Sequence, residues 1–449
     1  MIRLVLAAFA LMSSAISVAA PAPIEPSVEH YVRPYVDTRN FSGVVLVARD
    51  ANPLFSRAYG LSDRDRRTSN ALNTRFHIAS MSMQFTAAAV MRLVNAGRLS
   101  LDTPVSAIVP GYPNGSAITV RHLLTQTSGI ADINAQDDYS AILKAHQTPQ
   151  SLVARMLDVP PLRAPGTFER EEHSAYNLLA LIVERKTGKP FAKAMRQLVF
   201  EPLGMHDSGI DEDDPSAIRN AAVGYQPDGL YGLSPADRIH WSAKAGNGSA
   251  YTTAGDELKF VRGIFSDNFL KPRLRDTMFD LGARVGYGWF KSNSARFGQP
   301  VYSMNGRAPG FASAMAYLPN EKLLVVVLSN IYASVPADMG YDLAALALGK
   351  PYQALSLQTS TDPASLAGLP ASFQFPKDFY QANAIVKVAA TDGSVSLHWP
   401  SGDTSVLIPT SRDHYIDRNY WVPVEVVRDS GGRITQLKYD RFSGEPITD

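Results

Sequence analysis

The pattern of apolar and polar positions predicts strands at both ends of the larger part of the chain. Positions 41–60, FSGVVLVARDANPLFSRAYG, cluster β-branched residues on either side of a turn, as two paired strands do. Positions 313–330, SAMAYLPNEKLLVVVLSN, predict a strand, a Pro-Asn turn and a second, very apolar strand. These two segments are the strongest strand signals before position 350.

The region between these strands shows helical spacing. Positions 85–96 predict a helix that Gly97 ends, and ITVRHLLTQTSGI at 118–130 predicts a shorter helix that stops at Gly129. A third helix is predicted at 176–187, with Gly188 just beyond its end. Strands at both ends with helices between them favour an α+β domain in which helices pack on an antiparallel sheet.

The composition changes toward the C-terminal end. Positions 353–370 are rich in Ser, Thr, Ala and Pro and are predicted to be a linker. Beyond them, AIVKVAATDGSVSLHWP and WVPVEVVRDSGGRITQLKYD alternate as short strands do, with Asp392-Gly393 and Gly431-Gly432 as their turns. Residues 371–449 are therefore predicted to form a small, separate, barrel-like all-β domain.

The first twenty residues, MIRLVLAAFALMSSAISVAA, are organised like a secretory signal peptide. Arg3 gives a charged start, a short apolar core follows, and small residues provide a cleavage region. The chain contains no cysteine, which excludes a cysteine-linked lipid anchor and disulfides. We predict a periplasmic or secreted bacterial protein with a main domain at 26–352 and no integral membrane segment after cleavage of the signal.

Length and charge narrow the classes of partner. The 449 residues, 45% of them apolar, are enough for one large domain and a smaller one. The net charge is +1 and there is no basic block, so a nucleic acid is not expected as a partner. The sequence does not determine the oligomeric state.

The segment FHIASMSMQFTAAAVMRLVNAGRLSLD at 76–102 places Ser80 at the start of a predicted helix. There the chain resembles the serine β-lactamase and penicillin-binding-protein superfamily, and in particular the class C β-lactamase-related serine hydrolases. The resemblance runs from about Tyr31 to Asn330 and includes APGTF, YNLLALIVERKTGKPF, AGNGSAYTTAGDELKF and PGFASAMAYLPNEKLLVVVLSN. It implies an antiparallel sheet flanked by helices, an all-helical subdomain, and a lipocalin-like C-terminal module.

Two catalytic elements of that superfamily have lost their basic residue in this chain. The element Ser-x-x-Lys keeps Ser80 but has Met83 in place of lysine. The element Lys-Thr-Gly or His-x-Gly, counted back from the Pro-Gly-Phe at 309–311, is Met304-Asn305-Gly306. A thioether is a weak hydrogen-bond acceptor and cannot serve as a base. Met83 and Met304 are then ordinary core residues or pocket-lining residues, since methionine adapts to varied shapes.

The element Tyr-x-Asn is also replaced. An alignment without gaps from Pro-Gly-Thr at 165–167 to Tyr176 puts Glu171 and His173 at its tyrosine and asparagine positions. Histidine can accept a proton near neutrality and a carboxylate can orient it, so a rewired arrangement of Ser80 and His173, with Glu171 or Glu172 orienting the histidine, is one hypothesis. The alternative is that acidic residues here only favour the dipole of the next helix, with His173 a surface residue.

The resemblance also implies an oxyanion hole formed by the backbone N–H groups of Ser80 and Arg307. Backbone donors survive side-chain replacement, so this hole can still bind a carbonyl or carboxylate. Met83, Met304, Asn305, Gly306 and Arg307 are the predicted binding residues. The competing explanations are that Ser80 is only a helix N-cap, Asn305 satisfies a strand edge, and Arg307 is an ordinary exposed cation.

Three functional hypotheses follow. The first is an exported β-lactamase-related protein with lost or impaired acylation, which acts by binding a small-molecule or peptidoglycan-like ligand or a partner. The second is a serine hydrolase, an esterase, amidase or D-amino-acid peptidase, that uses Ser80 with a rewired base such as His173. The third is a structural module whose terminal domain mediates assembly. No cofactor is expected, and no metal, because the histidines and carboxylates form no recognisable ligand motif.

Overall fold

Strands near both ends of the main domain enclose a series of helices. The computed structural model describes residues 24–214, 218–280, 285–333, 335–354, 356–358, 360–391 and 393–447; the predicted signal segment, 1–20, lies outside them. The helices are α1 (Glu25–Asp37), α2 (Met83–Asn95), α3 (Val120–Leu124), α4 (Tyr139–Leu143), α5 (Pro149–Ala154), α6 (His173–Thr187), α7 (Phe191–Met195), α8 (Ala254–Ile264), α9 (Pro272–Phe279) and α10 (Val335–Ala347). The strands before position 350 are β1 (Gly43–Arg49), β2 (Asn52–Tyr59), β3 (Leu61–Asp63), β4 (Thr68–Ser69), β5 (Phe76–His77), β6 (Gly209–Ile210), β7 (Tyr225–Asp228), β8 (Gly232–Pro235), β9 (Ala250–Thr252), β10 (Val285–Gly286), β11 (Trp289–Ser294), β12 (Gln299–Ala308), β13 (Phe311–Leu318) and β14 (Leu323–Ser329).

The main sheet joins the two ends of the domain. Among the described residues, its order is β10-β11-β12-β13-β14-β1-β2, and neighbouring strands are antiparallel. The hairpin predicted at 41–60 is β1 and β2, and the pair predicted at 313–330 is β13 and β14. Val45 of β1 lies opposite Val327 of β14, so the first and last strands of the domain are neighbours.

Both faces of this sheet are buried, which explains why β14 is apolar at nearly every position. Alternate side chains of a strand point to opposite faces. Val44 and Leu46 pack into the cluster that contains α2 and α6, whereas Val45 and Val47 pack into the cluster that contains α1 and α10. The arrangement confirms the predicted α+β class with an antiparallel sheet flanked by helices.

The helices on one side form a subdomain around α6. Helix α6 contacts α2, α3, α5 and α7, and its positions 174–183 are all buried. It ends before Gly188, whose φ of 68° is in the left-handed region that terminates helices. Helix α6 begins at His173, three residues before its predicted start, and α3 ends at Leu124, before the predicted stop at Gly129.

The C-terminal strands close into a barrel, as the alternation predicted. Each strand pairs with the next, and the last pairs with the first. The barrel interior is filled by Phe373, Val386, Leu397, Tyr439 and their neighbours. The strands are β15 (Ala371–Gln374), β16 (Ile385–Thr391), β17 (Ser394–His398), β18 (Thr404–Ser411), β19 (His414–Asp417), β20 (Pro423–Arg428), β21 (Ile434–Tyr439) and β22 (Phe442–Ile447).

None of the helices in the described ranges has both the length and the hydropathy needed to cross a bilayer.

Candidate active site

Ser80 lies in a short 3-10 turn, Ala79–Ser82, that leads directly into α2. Ala79 has a φ of 47°, in the left-handed region that is unfavourable for a residue with a Cβ and that is often found at functional sites. Ile78 is the N-cap residue of this turn, and no side chain of the described residues makes a capping hydrogen bond there. An N-cap role therefore does not explain Ser80, and within the described residues its hydroxyl has no hydrogen-bond partner.

Strand β12 lies directly against this turn at Gly306. A methyl group on Gly306 would stand 2.1 Å from the carbonyl oxygen of Ile78 and 2.8 Å from the backbone nitrogen of Ser80. From β13, the hydroxyl of Ser313 donates to the same Ile78 oxygen at 2.8 Å. The absence of a side chain at Gly306 thus lets β12 lie directly against the backbone of Ser80, and β12 is the strand that carries Arg307, the second donor of the predicted oxyanion hole.

We expect Gly306→Ala to destabilise the protein by about 1–3 kcal/mol, because the added methyl must push the 78–81 backbone away from β12. Gly340 provides the matched control, since it lies in α10 and a methyl there would meet no described atom within 4 Å beyond its own turn of helix. Gly340→Ala should be neutral or slightly stabilising. The measurement is the midpoint of urea unfolding, and equal midpoints for the two variants would contradict this account.

Met83 and Met304 both lie in the apolar cluster of the main domain. Their exposed fractions are 1% and 3%. The sulfur of Met83 lies 3.9 Å from Nε2 of Gln126, and Oε1 of Gln126 accepts from the backbone N–H of Glu172 at 3.0 Å. The two sites where the resemblance expects basic groups thus hold buried thioethers, one of them linked through Gln126 to the segment before α6.

Glu172 fixes that segment. Its buried carboxylate accepts hydrogen bonds from the backbone N–H of Ser128 at 3.0 Å, the hydroxyl of Ser128 at 2.6 Å and the backbone N–H of Gly129 at 2.9 Å. Arg163 donates at 2.6 Å to Oε1, the oxygen that also accepts from Gly129. These hydrogen bonds hold the carboxylate of Glu172 against the loop at 128–129. Glu172 therefore does not orient His173.

His173 is held mainly by Asp132. The Nδ1 atom of His173 lies 2.8 Å from Oδ2 of Asp132, whereas its Nε2 atom lies 3.7 Å from Oε2 of Glu171. Burial alone would raise the pKa of Asp132, but the hydrogen bond and charge of His173 lower the pKa below its usual value. Within the described part of the chain no hydrogen bond joins His173 to Ser80.

A half-buried lysine, Lys244, belongs to the same polar group. Its ammonium donates to the hydroxyl of Tyr139 at 2.8 Å. Burial lowers the pKa of Lys244 to about 8, although Asp132 opposes this shift. The backbone oxygen of Lys244 accepts from the N–H of Asn247, whose side-chain amide donates to the carbonyl of His173 at 3.4 Å. Sequence reasoning missed Asp132, Tyr139 and Lys244, because no motif signals contacts made only by folding.

The predicted binding residues on β12 face different surroundings. Asn305 is exposed. Arg307 donates to the backbone oxygen of Asn419 at 2.7 Å, and its guanidinium lies over the rings of Tyr332 and Tyr420, 4.5 and 4.7 Å from their centroids. Since Asn419 and Tyr420 lie between β19 and β20, the barrel domain reaches the strand beside Ser80.

Comparison with known proteins agrees with this architecture. The sequence profile of the Beta-lactamase family matches residues 28–349. The penicillin-binding-protein relative PbpX of Bacillus subtilis is 28% identical over 300 residues, 66% of this chain and 72% of that protein. Esterase EstB of Burkholderia gladioli is 33% identical over 230 residues, 48% of this chain and 57% of that protein.

A solved structure extends the similarity to the barrel. The octameric penicillin-binding protein homologue from Pyrococcus abyssi superposes with a TM-score of 0.66 at 22% identity, and covers 94% of this chain and 99% of that one. A match over 94% of this chain must include barrel strands as well as the main domain. The chain therefore belongs to the β-lactamase family of penicillin-binding-protein-like serine hydrolases.

Proposed function

We propose that this protein binds a small-molecule or peptidoglycan-like ligand beside Ser80, and that its acylation chemistry is lost or severely impaired. The observation that carries the proposal is the isolation of the serine. Its hydroxyl has no hydrogen-bond partner among the described residues, and Met83 and Met304 are buried. A periplasmic or secreted location is part of the proposal.

The physical argument rests on how a serine becomes a nucleophile. Its hydroxyl reacts slowly unless a base within hydrogen-bond reach removes the proton. Loss of one member of a catalytic unit costs several powers of ten, and further losses then add less. Backbone donors at Ser80 and Arg307 do not need that base, so they can bind a carbonyl or carboxylate group without cleaving it.

A second candidate function is a serine hydrolase with a rewired base. The observation in its favour is the 2.8 Å contact between His173 and Asp132, which has the carboxylate–imidazole form of a general-base pair. In this hypothesis Asp132 takes the orienting role that the sequence analysis gave to Glu171. The hypothesis requires Nε2 of His173 to reach the hydroxyl of Ser80 when substrate is bound.

Covalent labelling separates the two functions. The purified protein and its Ser80→Ala variant are treated with a fluorophosphonate probe and with a fluorescent penicillin, beside an active serine hydrolase as a positive control. We expect equal, background labelling of both forms because no base activates Ser80. Labelling that depends on Ser80 at a rate near the positive control would overturn the proposal.

In that event the second function makes its own prediction. His173→Gln should abolish the labelling while the protein stays folded, because the acceptor of the serine proton is gone. His206→Gln is the matched control, since His206 is exposed. Labelling that depends on Ser80 but is unaffected by His173→Gln would exclude both functions as stated here.

A further inference from the structure

A second group of titratable side chains lies outside the candidate active site. Oδ2 of Asp213 is 2.7 Å from Nδ1 of His146 and 3.2 Å from Nδ1 of His240. The ligand-type atoms of the three residues all lie within 4.8 Å of one another. Two imidazole nitrogens and a carboxylate oxygen are a frequent ligand set for zinc and similar ions.

The surroundings of these three residues favour the binding of a ligand. The Nδ1 atom of His240 is shielded from solvent and makes no hydrogen bond of acceptable geometry with any described residue. The carboxylate of Asp213 is oriented through its other oxygen, because Oδ1 accepts from the backbone N–H of Ser242 at 3.0 Å. The backbone N–H of Asp213 donates to Asp211 at 2.7 Å. Such supporting contacts usually orient metal-ligating carboxylates.

We propose that His146, Asp213 and His240 bind a divalent transition-metal ion of the zinc class. Zinc lies about 2.0–2.2 Å from nitrogen and oxygen ligands, so tetrahedral ligands are about 3.3 Å apart. The carboxylate–imidazole separations of 2.7 and 3.2 Å are close to that value, and small side-chain rotations admit the ion.

The position of the ion would give it a role in ligand binding. His146 and Ser242 also line a cleft of about 620 Å³, together with Asp211 and Glu212. Three protein ligands leave a zinc ion a fourth position for water or for an anionic or nitrogen-containing ligand. The ion would also tie together three segments that are distant in the sequence.

That distance explains why the sequence predicted no metal. The three ligands lie at positions 146, 213 and 240, in three different connecting segments. A zinc motif is recognisable in a sequence only when pairs of ligands are a few residues apart. Here the ligands become neighbours only after the helical subdomain has folded.

The test measures zinc binding by the full chain purified without a polyhistidine tag and stripped with a chelator. Competition with a chromophoric chelator gives the affinity, and elemental analysis after gel filtration gives the stoichiometry. We expect one zinc ion per chain, with affinity at least about tenfold lower in His146→Gln and in His240→Gln. His206→Gln, at an exposed histidine, should bind zinc like the unmodified protein.

A Co²⁺ titration gives a second readout, because visible absorption reports the geometry around the ion. We expect the bands of four-coordinate Co²⁺ in the unmodified protein and their loss in the two variants. Less than one zinc ion per chain at saturation, or equal affinity in all three variants, would overturn the proposal and leave the group as a structural cluster of two histidines and an aspartate. His146 is largely exposed, so His146→Gln tests the site without a risk to folding.

Discussion

Replacement of Glu257 with glutamine is expected to raise the stability of the protein at pH 7 by about 3 kcal/mol. Glu257 is fully buried in α8, and its two carboxylate oxygens accept from the same atom, Nε2 of Gln84, at 3.2 and 3.1 Å. Burial raises the pKa of Glu257 to about 8. The folded protein therefore holds Glu257 as a neutral acid at pH 7, whereas the unfolded chain ionises it.

The sign of the pH dependence follows from this difference. The ordinary pKa of the side chain is 4.5, so between about pH 4.5 and 8 the folded state binds a proton that the unfolded state has released. The contribution of Glu257 to the free energy of unfolding is then fully present below pH 4.5 and is lost as the pH rises toward 8. Each pKa unit is equivalent to about 1.4 kcal/mol, so the loss at pH 8 is on the order of 4–5 kcal/mol.

Glutamine removes this loss of stability because it cannot ionise, and it keeps a hydrogen-bond donor toward Gln84. The buried Oε1 atom of Gln84 has no hydrogen-bond partner among the described residues. The amide of Glu257→Gln can donate to that oxygen while its own oxygen accepts from Gln84 Nε2. A buried acceptor without a partner costs about 1–3 kcal/mol, so the amide preserves in the variant the contact that the O–H of the neutral acid can make with Gln84 in the unmodified protein.

Urea unfolding at pH 5, 7 and 8 measures the effect. The variant should exceed the unmodified protein by a margin that grows with pH, because only the unmodified protein carries the buried acid. Glu201→Gln is the control, since it makes the same change at an exposed position and should shift no midpoint. A margin that is the same at all three pH values would show that burial does not raise the pKa of Glu257.

The hydrophobic pattern located the strands and helices because each buries a regular set of positions. The strands β1, β2, β13 and β14 were predicted from local alternation and clustering, and the barrel was predicted in the same way. The start of α6 was wrong by three residues. The reason is non-local, since Glu172 fixes the turn before α6 by hydrogen bonds to Ser128 and Gly129, which lie more than 40 residues earlier.

The candidate site residues also fall into two groups: those that lie in local sequence motifs and those brought together only by folding. Ser80 and Gly306 could be proposed from the sequence because each lies in a short motif whose neighbours identify it. Asp132 was missed because its contact with His173 spans 41 positions, and Glu171 was proposed because it lies only two positions from His173 in the sequence. Lys244 was missed because its lowered pKa comes from burial, which no sequence pattern around it indicates.

Arg418 is a fully buried cation at the junction between the barrel and the main domain. Its Nε donates to Oδ1 of Asn40 at 2.9 Å, and its terminal nitrogens donate to the backbone oxygens of Gly229 at 2.5 Å and Arg39 at 3.3 Å. Burial lowers the pKa of Arg418 to about 10, so the side chain remains charged at neutral pH. Its partners are oxygens of the main domain.

Arg418→Ala should destabilise the protein by about 3–5 kcal/mol. The substitution leaves three acceptors without a donor and opens a cavity between the two domains. We expect a lower urea midpoint and faster proteolysis in the predicted linker at 353–370, because the barrel would be held less tightly against the main domain. Arg412→Ala is the matched control, since Arg412 is exposed and forms an ion pair with the neighbouring Asp413 at 3.7 Å.

The consequence should extend to the candidate site, because the next residue, Asn419, accepts from Arg307 beside Gly306. Arg418→Lys separates charge from hydrogen-bonding geometry. A single ammonium keeps the charge but cannot reach the three separate acceptors that the guanidinium contacts. It should recover only part of the stability lost in Arg418→Ala. If Lys restored full stability, charge alone would be the requirement. If Ala and Lys both left the midpoint and the proteolysis rate unchanged, Arg418 would not be what holds the barrel against the main domain.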